Sequence, residues 1–102
     1  MAMEVSVQDA ARLVDAGGVM LDVREDEEWH AVRAPGVLHI PMRALPMSTD
    51  RLPMGVTIAC ICHIGQRSEV VAEALVGAGY DAVTVRGGMN AWEAAGFPIE
   101  RG

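Results

Sequence analysis

Apolar and polar positions along the chain follow helical and strand-like spacing in turn. Apolar residues recur at helical spacing over Val7–Val14 and Ser68–Ala78, which predicts two helices. A short acidic helix is predicted at Asp26–Ala31, where carboxylates suit the first turn, and a fourth at Met89–Ala95, between glycines. Short apolar runs form four predicted strands, at Val19–Leu21, Val37–Ile40, Val56–Ile61 and Ala82–Val85. Strands that alternate with helices predict an α/β fold with a parallel or mostly parallel sheet and helices on its faces.

Two segments refine this prediction. The run Val56–Ile61 is rich in β-branched residues and has no polar alternation, which is typical of a central strand covered on both faces. The segment Met42–Pro53 is broken by Pro46 and Pro53, so we expect a loop with a helical turn there. Parallel sheets bind ligands at the carboxyl ends of their strands, which directs attention to the residues after the central strand.

Composition and charge narrow the class of protein. The 102 residues are 51% hydrophobic and 4% aromatic, which predicts one globular domain over residues 1–102 with an aliphatic core and excludes disorder. The net charge of −6 argues against a nucleic-acid partner. The first seven residues lack the pattern of a signal peptide, and the longest apolar runs are too short to span a membrane. We therefore expect a cytoplasmic protein with no membrane partner.

The two cysteines, Cys60 and Cys62, are too close together for a useful disulfide. Cys62 follows the predicted central strand and precedes a short loop and a helix. Unpaired N–H groups at a helix start bind anions, and Gly65 permits the loop to curl around one. With the charge of Arg67 nearby, a thiol at this place is expected to have a lowered pKa and to be nucleophilic.

Three segments, which occur in the expected order along the chain, resemble the signatures of the rhodanese-like sulfurtransferases. The loop matches as Cys62-x-x-Gly65-x-Arg67-Ser68. The other matching pieces are Val19–Arg24, Glu28-Trp29 and Pro35–Pro41 on the N-terminal side, and Val85–Trp92 and Ala95–Ile99 on the C-terminal side. The resemblance implies a single rhodanese-like domain with a five-stranded, mostly parallel sheet flanked by helices on both faces.

The resemblance also implies a chemistry. Cys62 is the expected catalytic nucleophile, which takes a sulfur from a donor such as thiosulfate or a persulfide and passes it to cyanide or a thiol, a protein thiol included. The implied substrate-binding residues are His63, Ile64, Gly65, Gln66 and Arg67. Asp22 and Arg24 are implied to support the site, although a simple ion pair at the strand end is the alternative. We expect no cofactor and no metal ion.

The same residues also allow other interpretations. A sulfur-relay or partner-binding module without catalysis is the alternative from another functional class. Phosphatase relatives keep one more residue between cysteine and arginine than the four between Cys62 and Arg67, which argues against that activity. Cys60 is interpreted either as a redox partner of Cys62 or as a small buried residue. A metal site of Cys60, Cys62, His63 and His39 has an unusual ligand spacing.

The chain departs from the family pattern near residues 32–39. Val32-Arg33-Ala34 stands where the family usually has Gly-His-Ile, and His39 replaces the usual Asn before Ile-Pro. The loop has Arg67 as its only fixed cation, so we expect modest attraction for thiosulfate, a dianion. Arg86 is a second candidate for the rim of the site. Trp29 and Trp92 are expected in the core, and the acidic run Glu25–Glu28 is expected to face solvent.

Overall fold

A central parallel sheet organises the chain in the computed structural model, which describes residues 2–102. The strands of this part of the chain are β1 (Met3–Val5), β2 (Val19–Asp22), β3 (Val32–Arg33), β4 (Leu38–His39), β5 (Ile58–Ile61), β6 (Ala82–Val85) and β7 (Glu100–Arg101). Five of them form one all-parallel sheet in the order β1, β6, β5, β2, β4, and β3 pairs with β7 in an antiparallel ladder. The predicted α/β class is confirmed.

The helices lie close to their predicted positions. They are α1 (Val7–Asp15), α2 (Asp26–Ala31), α3 (Gln66–Gly77) and α4 (Gly88–Ala94). Ser6 is the N-cap of α1, since its Oγ accepts a 3.1 Å hydrogen bond from the N–H of Asp9. Helix α3 begins two residues before the predicted start, directly after Gly65. The segment expected to be a loop with one turn contains two 3₁₀ turns, Met42–Met47 and Thr49–Arg51.

Each side of the sheet carries its own hydrophobic core. On one side, α3 packs Val71 and Leu75 against Ile58 and Cys60 of β5. The opposite side contains Ala59 and Ile61 of the same strand, packed with residues of α1 and α4. Every residue of β5 is buried, as expected of a strand covered on both faces. Trp92 lies in the second core, as predicted.

The edge strand β1 was absent from the pattern-based prediction. It is three residues long, pairs only with β6, and leaves Met3 72% exposed. An edge strand needs no two-sided apolar run, so its sequence contains little to distinguish it from a loop. No helix within residues 2–102 is long and apolar enough to cross a membrane.

Candidate active site

Backbone N–H groups surround the sulfur of Cys62 at the carboxyl end of β5. The N–H of Gly65 donates to Cys62 Sγ at 3.1 Å and that of Ser68 at 3.4 Å. Gly65 has a φ of 114°, a conformation that side-chain-bearing residues rarely adopt, and it starts α3. The loop therefore forms the curled cradle that its sequence predicted, with the thiol at its centre.

Two buried hydroxyl groups extend this cradle. Ser68 Oγ lies 3.5 Å from Cys62 Sγ and 2.8 Å from Thr84 Oγ1, and it also lies within 3.2 Å of the Gly65 carbonyl. Both hydroxyl residues are almost fully buried. From the sequence, Ser68 is recognised only as part of the loop motif, and no role is predicted for Thr84. The signal that could have identified Thr84 is its hydroxyl group, the only one in an otherwise apolar strand.

The pKa values of the two cysteines move in opposite directions. Burial raises the pKa of Cys62, but hydrogen bonds from Ser68, Gly65 and Arg67 outweigh it, so the pKa lies below its ordinary value. Burial, with a smaller effect of the Cys62 charge, raises the pKa of Cys60 to about 12. Cys60 is fully buried in the core beside α3. It has the environment of a small core residue rather than that of a reactive thiol.

Helix α4, which follows the neighbouring strand β6, holds the cradle in position. The N–H of Met89 donates to the Cys62 carbonyl, and the N–H of Asn90 donates to the His63 carbonyl at 3.1 Å. Gly88, before them, has no room for a side chain, since a Cβ there would collide with both carbonyl oxygens. The Gly87-Gly88 pair thus brings the backbone of α4 close enough to position the loop.

The side chain of Arg67 has a partner that sequence analysis did not predict. Its guanidinium forms two hydrogen bonds with the carboxylate of Glu28, at 2.7 and 2.8 Å. The Arg67 guanidinium lowers the pKa of Glu28 to about 2, and Glu28 raises the pKa of Arg67. The charge of the Arg67 side chain is therefore neutralised by Glu28. The expectation that all of Glu25–Glu28 faces solvent is wrong for Glu28.

Asp22 and Arg24 form a buried ion pair behind this arrangement. Arg24 Nη2 lies 2.8 Å from Asp22 Oδ2, and both side chains are at most 2% exposed. Arg24 also donates to the backbone carbonyls of Glu28 and Val32, at 3.2 and 2.6 Å. The pair therefore fixes α2, which presents Glu28 to Arg67, and it contacts Cys62 through none of the hydrogen bonds found in residues 2–102.

The remaining loop residues form the rim around Cys62. The side chains of His63, Ile64 and Gln66 are exposed, and within the described chain none of them hydrogen-bonds to the Cys62 sulfur. These three residues are called the loop rim below. Ile64, the apolar member of the loop rim, is 51% exposed.

The departures from the family pattern form a stack of their own. Trp29, expected in the core, is half-buried and stacks on His39 with ring centroids 4.9 Å apart and planes 6° from parallel. The guanidinium of Arg33 lies 4.7 Å from the centroid of the Trp29 ring. His39 Nε2 is 2.8 Å from the carbonyl oxygen of Arg24. Two of the replaced residues, Arg33 and His39, thus both contact the Trp29 ring beside the ion pair.

Two other hypotheses from the sequence concern Arg86 and a metal site. Arg86, a candidate for the rim, instead forms an ion pair with Glu4 of β1 at 2.9 Å. Across residues 2–102, no group of His, Cys, Asp and Glu side chains has the arrangement of a metal site.

The sequence of the chain is similar to those of several known proteins. A family model described as the rhodanese-like domain matches residues 6–95. A Bacillus subtilis protein named "Putative sulfur carrier protein YrkF" is 36% identical over 92 residues, which is 87% of this chain and 50% of that protein. The chain thus spans about half the length of that relative. "Thiosulfate sulfurtransferase GlpE" of Tolumonas auensis is 30% identical over 90 residues, 86% of this chain and 85% of that one.

Solved structures show the same architecture. The crystal structure of a rhodanese-related protein from Thermoplasma volcanium superposes with a TM-score of 0.90 at 28% identity. The match covers 96% of this chain and 97% of that one, so the two chains share the fold over nearly their whole lengths.

Proposed function

The chain belongs to the rhodanese-like domain family, as its three sequence segments predicted, and from this premise we propose that it is a sulfurtransferase whose Cys62 carries the sulfur. Residues 1–102 act as one rhodanese-like domain in this proposal. The cycle needs no cofactor, because the sulfur atom passes from one nucleophile to the next by substitution at sulfur. A cytoplasmic setting suits it, since thiols stay reduced there.

One observation carries the proposal: the backbone N–H groups of Gly65 and Ser68 both donate to Cys62 Sγ. Such donors favour the thiolate, which is the nucleophilic form of cysteine. They also favour the negative charge that a persulfide bears on its outer sulfur. The same cradle therefore assists both the attack on a donor and the storage of the transferred sulfur.

In the first half of the cycle, the Cys62 thiolate attacks the outer sulfur of the donor. A sulfur–sulfur bond to Cys62 forms as the donor's own sulfur–sulfur bond breaks. With thiosulfate, the electron pair of the broken bond leaves with sulfite. The product is a Cys62 persulfide held by the loop amides.

In the second half, a nucleophilic acceptor attacks the outer sulfur of that persulfide. The electron pair of the Cys62 sulfur–sulfur bond returns to Cys62, which becomes a thiolate again. Cyanide leaves as thiocyanate, and a thiolate leaves as a new persulfide. A low pKa of Cys62 makes it a good leaving group in this step, and the two-step cycle predicts ping-pong kinetics.

A sulfur-relay module is the second candidate function. The resemblance to a relative named as a sulfur carrier favours it. In a relay, Cys62 receives sulfur from one protein and delivers it to another, and small acceptors remove it poorly. The exposed Ile64 on the loop rim suits contact with such a partner.

Phosphate transfer has less support from the site. Four residues separate Cys62 and Arg67, which makes a small cradle, and the guanidinium of Arg67 is bound to Glu28 rather than directed at an incoming oxyanion. A single sulfur atom suits this space better than a tetrahedral phosphate does.

Intact-protein mass spectrometry after incubation with thiosulfate tests the proposal. We expect one added sulfur atom on the wild-type chain and on Cys60→Ala, and none on Cys62→Ala. Cys60→Ala is the matched control because Cys60 is the other thiol of the chain but lies in the core. Sulfur on Cys62→Ala would contradict the proposal. Removal of the sulfur by cyanide supports the enzyme, and resistance to cyanide supports the relay.

A further inference from the structure

Nearly all positive charge on this protein is already paired. The chain has eight basic residues, and its sequence shows that all of them are arginines. Seven of the eight form ion pairs with carboxylates; these are Arg12, Arg24, Arg33, Arg43, Arg67, Arg86 and Arg101. The net charge is −6, so the protein as a whole repels an anion. An anionic donor therefore depends on whatever charge the loop itself presents.

The single fixed cation of the loop is held by a carboxylate that cannot easily move away. Glu28 binds Arg67 with both of its oxygens. Its Oε1 also accepts a 3.0 Å hydrogen bond from the N–H of Glu25, at the start of α2. Arg24 holds the backbone carbonyl of Glu28 from the buried side. Three contacts thus fix Glu28 against the guanidinium.

We propose that Glu28 is a specificity-determining residue: by neutralising Arg67, it disfavours the dianion thiosulfate and favours donors of lower charge, namely persulfides of thiols. This inference rests on the proposed sulfurtransferase function. The pair is not remote from the reacting atom, because Arg67 directly precedes Ser68, whose N–H donates to the Cys62 sulfur, while the Arg67 side chain reaches Glu28. The presence or absence of one charge at this position acts directly on the incoming donor.

The two donors differ in the charge that they bring to the thiolate. Attack on thiosulfate brings a dianion against Cys62 and releases sulfite, also a dianion. Attack on a persulfide anion brings one negative charge. The thiol part of the donor leaves as a thiolate, which takes up a proton from solvent. If the donor persulfide is neutral, its own proton stays on the transferred sulfur or goes to solvent. Both reactions transfer one sulfur without an oxidant or reductant, so charge is the main difference between them.

Alkylation of Cys62 measures the local charge without requiring sulfur transfer. Iodoacetate is an anion and iodoacetamide is its neutral analogue, and both form a carbon–sulfur bond with release of iodide. The ratio of their rates cancels any change in the nucleophilicity of the thiolate. Cys60 interferes little, because its pKa is raised to about 12 while the pKa of Cys62 is lowered, although both thiols are nearly inaccessible, at 0% and 1% exposed.

Glu28→Gln removes the charge but keeps an oxygen that can accept from Glu25 and Arg67. We expect it to raise the iodoacetate-to-iodoacetamide rate ratio about fivefold at low salt, as one unpaired charge near a partly exposed site would. The initial rate of sulfur loading from thiosulfate, relative to loading from mercaptoethanol persulfide, should rise by a similar factor. Both gains should shrink at high salt, because salt screens exposed charges.

Glu27→Gln is the matched control. It removes the same charge from the next residue of the same helix, and Glu27 is exposed. A general effect of net charge would raise the ratio equally in both variants, and that result would overturn the inference. Arg67→Gln should move the ratio in the opposite direction, which keeps the test decisive if Glu28→Gln does not fold.

The outcomes separate this inference from the function on which it rests. An unchanged alkylation ratio in folded Glu28→Gln, with normal sulfur loading, overturns the role of Glu28 alone. Absence of sulfur loading from both donors on the wild-type chain overturns the sulfurtransferase proposal and the donor preference with it. A raised ratio together with preferential gain on thiosulfate supports both.

Discussion

The N–H of Met89 donates a 2.7 Å hydrogen bond to the carbonyl of Cys62. The first turn of a helix has N–H groups without partners inside the helix, and α4 uses one of them to hold the residue at the centre of the loop. Because α4 follows β6 and Cys62 follows β5, the bond ties together the carboxyl ends of two neighbouring parallel strands. The precision of the sulfur's position therefore depends on how closely these two backbones approach.

Gly88→Ala tests this close approach. A Cβ at Gly88 would collide with the carbonyl oxygens of Cys62 and His63, and the φ of 56° adds backbone strain. We expect a loss of about 3 kcal/mol in the free energy of unfolding, measured with urea. Sulfur loading of Cys62 should slow by about tenfold or more, because the reacting atom is displaced.

Gly96→Ala is the control for backbone strain alone. Gly96 also has a positive φ, 80°, but a Cβ there would meet no atom within 4 Å. We expect it to cost about 1 kcal/mol and to leave the loading rate unchanged. Equal losses in the two variants would show that contact with the loop is not the cause.

Ser68→Ala should raise the pKa of Cys62. The Ser68 hydroxyl and N–H stabilise the Cys62 thiolate and so lower its pKa, whereas burial raises it. Without the hydroxyl, the effect of burial is less fully offset. The alkylation rate as a function of pH should therefore show its inflection at higher pH than in the wild type. Thr84→Val should shift it in the same direction but less, because Thr84 acts on the sulfur only through Ser68.

Ser6→Ala is the control for loss of a serine hydroxyl. Ser6 caps α1, so its loss should cost about 1 kcal/mol of stability and leave the inflection where it is. An unshifted inflection in folded Ser68→Ala would contradict the assigned role of the hydroxyl.

Local features of the sequence were sufficient to predict the cradle. The apolar run before Cys62, the glycine at position 65 and the helical spacing after it all lie within one short stretch, and each favours its conformation through nearby residues. The predicted α2, Asp26–Ala31, matches the observed helix at both ends. Acidic residues in the first turn stabilise such a helix by local electrostatics alone.

The partners of the cradle residues could not be predicted in this way. Glu28 is 39 residues from Arg67 in sequence, and Thr84 is 16 residues from Ser68. Their proximity depends on how the sheet orders its strands, which no single segment encodes. The acidic run was therefore interpreted as a solvent-facing surface, although one of its members is directed at the loop.

Asp22→Asn should destabilise the fold strongly, because it leaves the charge of Arg24 buried without its carboxylate partner. Asp22 and Arg24 are 0% and 2% exposed. Breaking such a pair costs about 3–5 kcal/mol, so we expect thermal unfolding at least roughly 10 °C below the wild type. Glu93→Gln breaks the exposed pair with Arg101 and should cost at most about 1 kcal/mol. Similar losses in both variants would mean that burial does not set the strength of the Asp22–Arg24 pair, and α2 would then need another anchor.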